Sequence, residues 1–467
     1  MSFTFVDLFA GIGGFHAALS ALGGRCVMAS EIDKDAVNIY KSNWGIKPEG
    51  DITALANENG VNVPDHDVLV GGFPCQPFSK SGFQRGMDEA RGTLFWNIAR
   101  IIEEKKPKIV LLENVRNISG PRHKHEWEVI IRTLRECGYR VSASPFIVSP
   151  HQIRPDFGGR PQARERILIC ATKLPNRTRD LNLEPGLPEL NWAKSGWSQQ
   201  YWNLDKDLPL EKLTSKVKKE HVSLTSEEVL WIDAWDDFVK VIKKDKARGP
   251  LPGFPIWVDA WPPVNLIQNE KSFPDWKKDF ILKNIQFYKA HKKVLDKWLE
   301  DWDFLIDFPS SRRKFEWQAQ DAESLWQCIM HFRPSGIRAK KPTYVPALVA
   351  ITQTSIVGKD KKSKRRLTVR EGARLQGFPE WFNFYGQKES ISFKQLGNAV
   401  NVGVIFQTMK ALVKRDYDLL LDSHELLKSI TTAPDNPDLI LANPGNLLHG
   451  SNSKRIIQEE LILKLVN

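Results

Sequence analysis

Among the side chains able to attack an electrophilic carbon, one of the five cysteines of this 467-residue chain has the setting of a nucleophile. Cys75 lies in GGFPCQPFS (71–79), after an apolar run and between two prolines. The prolines fix the local backbone and with it the direction of the thiol. In open α/β sheets ligands bind at strand ends, which favours a reactive thiol over a packing one. Glu113, in ENV (113–115), also closes an apolar run. A carboxyl buried there would hold its proton near neutral pH. QARER (162–166) places Arg164 and Arg166 on one side of an extended segment, because alternate residues face alike. Two guanidiniums beside a thiol favour its thiolate. Taken singly, each of these residues also reads as a packing cysteine or a structural ion pair.

A second constellation has the character of a cofactor cradle. DLFAGIGGF (7–15) reads as a strand, a glycine-rich turn and a helix start, with Gly11, Gly13 and Gly14 letting the backbone approach a ligand. The next strand ends in EID (31–33), where Glu31 could accept from both hydroxyls of a ribose. Asp51, in GDIT (50–53), could take the amine of an adenine. Two exposed loop carboxylates are the plain alternative. The spacing is not the full G-x-G-x-x-G of dinucleotide sites, so S-adenosylmethionine suits the turn better than NAD.

The elements that must position these residues alternate along residues 1–173. Apolar runs at 3–9, 25–31, 67–73, 108–114 and 166–172 have the length of buried strands in a parallel sheet. Helical stretches at 13–22 and 34–44 separate the first of them, as in a doubly wound α/β domain. Near residue 175 the character changes. The stretch 175–340 holds 12 of the 16 tryptophans, and its helical pieces at 225–245 and 276–303 are rich in Lys, Asp and Trp. Beyond the basic run KDKKSKRR (359–366), Thr368 and Glu371 have the spacing of a helix-capping box. An amphipathic helix follows QLGNAVNVGV (395–404).

The formal charge of +11 favours a polyanionic partner. The odd cysteine count and the lack of a CxxC pair point to neither a disulfide framework nor a metal cluster, and fit a reducing cytoplasm. No metal is expected. No run of eighteen apolar residues predicts a membrane span, and the first residues read as a buried strand, not a leader.

Taken in order, DLFAGIGGF, GGFPCQPFS, ENV, QARER, RRLTVREGARLQGFP and QLGNAV resemble the C5-cytosine-specific DNA methyltransferases of restriction–modification systems. The resemblance covers about 1–173 and 333–412. It implies a Rossmann-like α/β methyltransferase fold with a mostly parallel sheet and a smaller, irregular target-recognition domain. The expected division is 1–173 completed by 391–430, then 174–390 for recognition, then a C-terminal extension, 431–467. It implies Cys75 as the nucleophile on C6, Glu113 at the ring N3 and amino group, Arg166 at O2, and Arg164 near the thiolate. S-adenosylmethionine, leaving as S-adenosylhomocysteine, would be held by Phe9, Gly11, Gly13, Gly14, Glu31, Ile32, Asp51, Ile52, Pro74, Leu94 and Asn398. Family members often carry an aromatic residue where this chain has Ile32, whose aliphatic face is left to pack on the adenine. The base must leave the stack for this chemistry, and the loop 76–91 resembles the family's mobile loop, with Ser81 and Gln84 as DNA contacts.

Phosphate contacts are expected from Arg333, Arg338, Lys340, Arg365 and Arg366. The partners implied are double-stranded DNA and, functionally, a cognate restriction endonuclease. The enzyme is expected to be a monomer of the prokaryotic cytoplasm or nucleoid. Three rival readings stand beside this one: a transfer-RNA cytosine methyltransferase, a nucleic-acid-binding protein with an inactive methyltransferase fold, and an NAD-linked dehydrogenase.

Overall fold

Apolar runs of five to eight residues, too short for helices and flat on both faces, pair into the central sheet of the first of two units. The computed structural model describes residues 3–74, 93–175, 184–190, 196–213, 216–245, 251–267, 272–348 and 354–447. Unit 1 comprises 1–202, 347–350 and 372–467; unit 2 comprises 203–346 and 351–371. Residues 174–202, 347–350 and 372–390, expected in the recognition segment, thus belong to unit 1.

In chain order unit 1 opens with β1 (Thr4–Leu8), α1 (Gly14–Ala21), β2 (Arg25–Ser30), α2 (Lys34–Trp44), β3 (Val68–Gly72), α3 (Leu94–Lys105), β4 (Ile109–Val115), α4 (Lys124–Glu136), β5 (Tyr139–Val141), β6 (Phe146–Val148) and β7 (Arg166–Lys173). The strands lie in the order β2-β1-β3-β4-β7-β5, with β6 also on β7. Strands β1 to β4 run parallel. β7 runs against β4, β5 and β6. The run 166–172 therefore differs from its expected parallel setting. It is the one reversed strand among those described, and its first residue, Arg166, lies at the edge where β4 ends. The short strands β5 and β6 give no pattern strong enough to read from sequence.

Unit 2 is a six-stranded sheet against helices. Its elements are α5 (Ser226–Lys244), β8 (Ile256–Trp257), α6 (Asp275–Ala290), α7 (Lys292–Asp301), β9 (Lys314–Gln318), β10 (Ile329–Arg333), β11 (Gly336–Lys340), β12 (Ile356–Val357) and β13 (Arg365–Arg366). The sheet order is β8-β9-β11-β10-β12-β13. The tryptophans prove to be mainly core. Trp235 stacks on Phe315 with ring centroids 4.7 Å apart and touches Trp298 and Phe238. Their indole N–H groups are satisfied: Trp235 donates to the Arg312 carbonyl and Trp298 to that of Ala234. A buried indole without such a partner would lose much of what its area contributes. Thr225 and Glu228 cap α5 reciprocally, and Thr368 and Glu371 form the capping box expected from their spacing.

The chain then returns to unit 1 with α8 (Glu389–Asn398) and α9 (Val402–Arg415). Helix α9 is buried almost all round and packs on the wholly buried α1, as its near-continuous apolar sequence requires. Its end is pinned by Asp416, which is fully buried. Asp416 accepts from Thr172 Oγ1 at 2.6 Å and pairs with Arg415 and Arg140. Removing one member of a buried ionic cluster leaves the others unsatisfied. Asp416→Ala is therefore expected to cost roughly 3 kcal/mol, read as a lower urea midpoint of the transition that reports unit 1.

Candidate active site

The carboxyl ends of β1 to β4 form one edge of the parallel part of the sheet. The chain order reverses there, since β2 lies to one side of β1 and β3 to the other. Such a reversal opens a crevice outside the strand ends. A cavity of about 380 Å³ lies here, lined by Phe9 and Gly11 after β1, Glu31 and Asp33 after β2, Gly72 to Pro74 after β3, and Glu113 on β4. Arg164, Arg166, Lys394 and Asn398 complete it.

Glu31 organises the glycine turn. Its Oε2 accepts from the Gly11 N–H at 2.8 Å, and its Oε1 from the N–H groups of Ile32 and Asp33. Both oxygens are thus oriented before any ligand arrives. Gly11 has φ +54°, and a Cβ there would meet nothing within 4 Å, so the turn is open at this point. Gly13 and Gly14 are under a packing constraint that Gly11 is not. A Cβ on Gly13 would lie 2.1 Å from the Trp44 indole nitrogen, and one on Gly14 would lie 2.5 Å from the Val400 carbonyl. Packing alone therefore requires glycine at both positions, because α1 lies tightly on α2 and on the approach to α9.

The remaining cradle residues divide similarly. Ile32 is 73% exposed beside Glu31, which leaves its aliphatic face available. The Ile52 side chain is instead in the apolar core. Asp51 is exposed and caps the short helix Ile52–Leu55 through the Thr53 N–H. Leu94 packs against the core as the first residue of α3. None of these last three lines the cavity.

Glu113 and Arg166 form the ionic centre of the site, with Arg166 Nε 2.8 Å from Glu113 Oε1. Burial raises the Glu113 carboxyl above its usual range, and the charges of Arg166 and Arg164 pull the other way. Gly72 pairs with Glu113 across β3 and β4, and a Cβ on Gly72 would lie 3.1 Å from Glu113 Oε2. Asn114, unnoticed in the sequence, donates to the Phe73 carbonyl at 2.9 Å and holds the segment that leads to Pro74. Cys75, Ser81 and Gln84 lie outside the described residues.

Arg164 is buried and acts as a clamp. Its guanidinium donates to the carbonyls of Leu348, Gly397 and Ala399 at 2.7–2.9 Å. Burial first, and Arg166 next, lower its pKa to about 9, so it stays charged at neutral pH. This ties QARER to the segment that carries Asn398. Asp33 and Lys394, a pair at 3.5 Å, are further lining residues that spacing did not reveal. Only Asp33 left a trace, as the last residue of EID.

In unit 2, four of the five expected phosphate contacts are in ion pairs within the unit. Arg365 binds Glu371 through both Nη groups, at 2.6 and 2.9 Å, with both residues buried. Arg366 pairs with Glu228. Lys364, from the same basic run, is buried and donates to the carbonyls of Cys328 and Gly358. Three of the six cations of KDKKSKRR are thus structural. Arg333 and Arg338, which share Glu316, and Lys340 lie on β10 and β11, each partly exposed.

Comparison with known proteins matches residues 3–414 to the model of the C-5 cytosine-specific DNA methylases. The chain is 46% identical to Type II methyltransferase M.AluI of Cellulosimicrobium cellulans, over 90% of this chain and 93% of the relative. It is 28% identical to Type II methyltransferase M.HgiBI of Herpetosiphon aurantiacus, over 88% of this chain and 96% of the relative. Type II methyltransferase M.HhaI of Haemophilus parahaemolyticus is 47% identical over a shorter stretch, 36% of this chain and 48% of the relative.

The two kinds of glycine in the turn are separable by stability. Gly13→Ala combines a positive φ with a steric overlap and should cost more than about 2 kcal/mol. Gly11→Ala meets no neighbour and should cost only about 1 kcal/mol. Equal urea midpoints for the two variants would contradict this division.

Proposed function

The chain belongs to the C-5 cytosine-specific DNA methylases, and from that membership we propose how its residues divide the reaction. It is a DNA (cytosine-5-)-methyltransferase.

The cradle suits an adenosine-bearing methyl donor, S-adenosylmethionine. The observation behind this is the donor set at the glycine turn: an oriented carboxylate, Glu31, an open Gly11 and an exposed aliphatic Ile32. These match a ribose and an adenine, and a pyrophosphate would need cations or more free N–H groups. Phe9, Pro74 and Asn398 would complete the cradle. When bound, the cofactor supplies an electrophilic methyl group and leaves as S-adenosylhomocysteine.

The chemistry of the base falls to Cys75, Glu113 and Arg166. The Cys75 thiolate adds to C6 of a cytosine turned out of the duplex. The electron pair of the C5–C6 double bond moves through the ring to N3, and Glu113 delivers its proton there. The buried position of Glu113 and its raised pKa favour this role, because an ordinary surface carboxyl has lost its proton at neutral pH. Arg166, fixed by Glu113, holds O2. C5, now electron-rich, is the carbon that is methylated. A base takes the C5 proton, the C5–C6 double bond re-forms as the thiolate leaves C6, and N3 returns its proton to the Glu113 carboxylate. Arg164 acts at one remove, by holding the strand that carries Arg166.

Unit 2, with Arg333, Arg338 and Lys340, would bind a short sequence of double-stranded DNA. By analogy with the Type II names of its relatives, methylation would protect that sequence from a cognate endonuclease. No described helix is long and apolar enough to cross a membrane. The enzyme is expected to act as a monomer in the cytoplasm.

Cys75→Ala should abolish methyl transfer to duplex DNA and leave S-adenosylmethionine binding intact. Retained transfer would remove Cys75 from the reaction. Glu113 adds a pH signature. Its folded pKa lies above the unfolded value, so the protonated form persists to higher pH, and kcat/KM should fall as pH rises through that pKa. Glu113→Gln should lower kcat by about a hundredfold or more and remove this alkaline limb.

A further inference from the structure

We propose that Arg338, held in place by Glu316 on the exposed face of the unit 2 sheet, reads a base edge of the DNA target, with Lys340 on a neighbouring phosphate. The inference rests on the reading of unit 2 as the recognition unit and assigns the reader within it.

Along β9, β10 and β11, Phe315, Trp317, Met330, Phe332, Ile337 and Ala339 all turn into the aromatic core. The residues between them must face the other way. That second face carries Lys314, Arg333, Arg338 and Lys340 against the single carboxylate of Glu316. A solvated sheet face normally mixes signs, whereas this one has three cations in excess, which complements a polyanion.

Charge alone would explain phosphate contacts, and the geometry at Arg338 goes further. Glu316 and Arg338 are directly opposed on adjacent strands. Arg338 donates its Nε to Glu316 Oε2 at 2.9 Å, and its two Nη groups have no partner among the described residues. Arg333 donates its Nη2 to the same Glu316 oxygen at 3.0 Å. One carboxylate thus fixes two arginines, and the free Nη groups of Arg338 are oriented at a side chain 29% exposed. A phosphate can be met by the point charge of a flexible lysine or by an arginine fork. A fixed planar guanidinium is the group that distinguishes guanine, by donating to O6 and N7 together. Placing it on a sheet strand, not a loop, restricts its orientation further. Lys340, next but one on β11 and lying over the Tyr344 ring at 4.6 Å, has no such fork.

The test compares wild-type enzyme with Arg338→Lys, Arg338→Gln and Lys340→Gln. Each methylates a duplex library randomised around cytosine, mapped at single-base resolution and repeated over a range of salt. The wild type should mark cytosine within one short sequence. Both Arg338 variants should lose preference at one base pair, with the selectivity ratio there falling about fivefold to a hundredfold and the other positions retained. Lys340→Gln should weaken all sites together and reduce the salt slope by about one. The near-ultraviolet circular dichroism, to which the buried unit 2 tryptophans contribute, checks that each variant is folded. If Arg338→Gln unfolds, the conservative lysine variant decides. Uniform weakening in the folded Arg338 variants, or an unchanged sequence preference, would overturn the proposal. Wild-type marking with no sequence preference would instead overturn the recognition reading on which it rests.

Discussion

A carboxyl group kept away from water beside a guanidinium is the constraint around which the catalytic unit is arranged. Glu113 is buried, so its charged form is unfavourable, and Arg166 at 2.8 Å partly offsets that. Arg166 could not be placed there without the reversal of β7. In a sheet whose other described strands run one way, a parallel β7 would begin at the far edge, and Arg166 with it. Running antiparallel, β7 starts where β4 finishes, and the acid and the arginine meet across adjacent strands. Gly72, directly opposite Glu113 on β3, keeps that space clear.

Further out, the same arrangement depends on hydrogen bonds to backbone carbonyls. Arg164 links residues far apart in sequence by donating to the carbonyls of Leu348, Gly397 and Ala399. Gln162, on the same strand segment, donates to the Leu375 carbonyl and accepts from the Leu348 N–H. The returning chain is therefore tied to the sheet by the residues of QARER, and Asn398 reaches the cavity as a consequence. A buried arginine whose donors meet carbonyls is far less costly than one left alone. This accounts for two arginines two residues apart having such different surroundings.

Unit 2 follows another logic. Its helices and sheet enclose an aromatic core in which stacked and edge-on rings fill space that aliphatic residues fill in unit 1. Its basic residues divide into those that build and those that face outward. Arg365 and Arg366 close ion pairs with Glu371 and Glu228, whereas the face of β9, β10 and β11 keeps an excess of positive charge. Net charge by itself does not distinguish the two groups, because a buried, paired arginine counts the same as an exposed one.

Much of this was legible in the chain. The strand runs of 3–9, 25–31, 67–73 and 108–114 and the helices at 34–44 and 225–245 follow from hydrophobic spacing, and the box at Thr368 and Glu371 from local capping. The order of the motifs indicated a methyltransferase, a reading the family match bears out. These features rest on interactions within a few residues, which sequence records directly. What only the tertiary structure decided is which partner each residue meets. Gly13 and Gly14 answer to Trp44 and Val400, Ile52 to the core, Arg164 to carbonyls brought from the other end of the chain, and Arg365 to Glu371. The reason is physical: a residue's type sets what it can bind, but burial and long-range packing determine what is within reach.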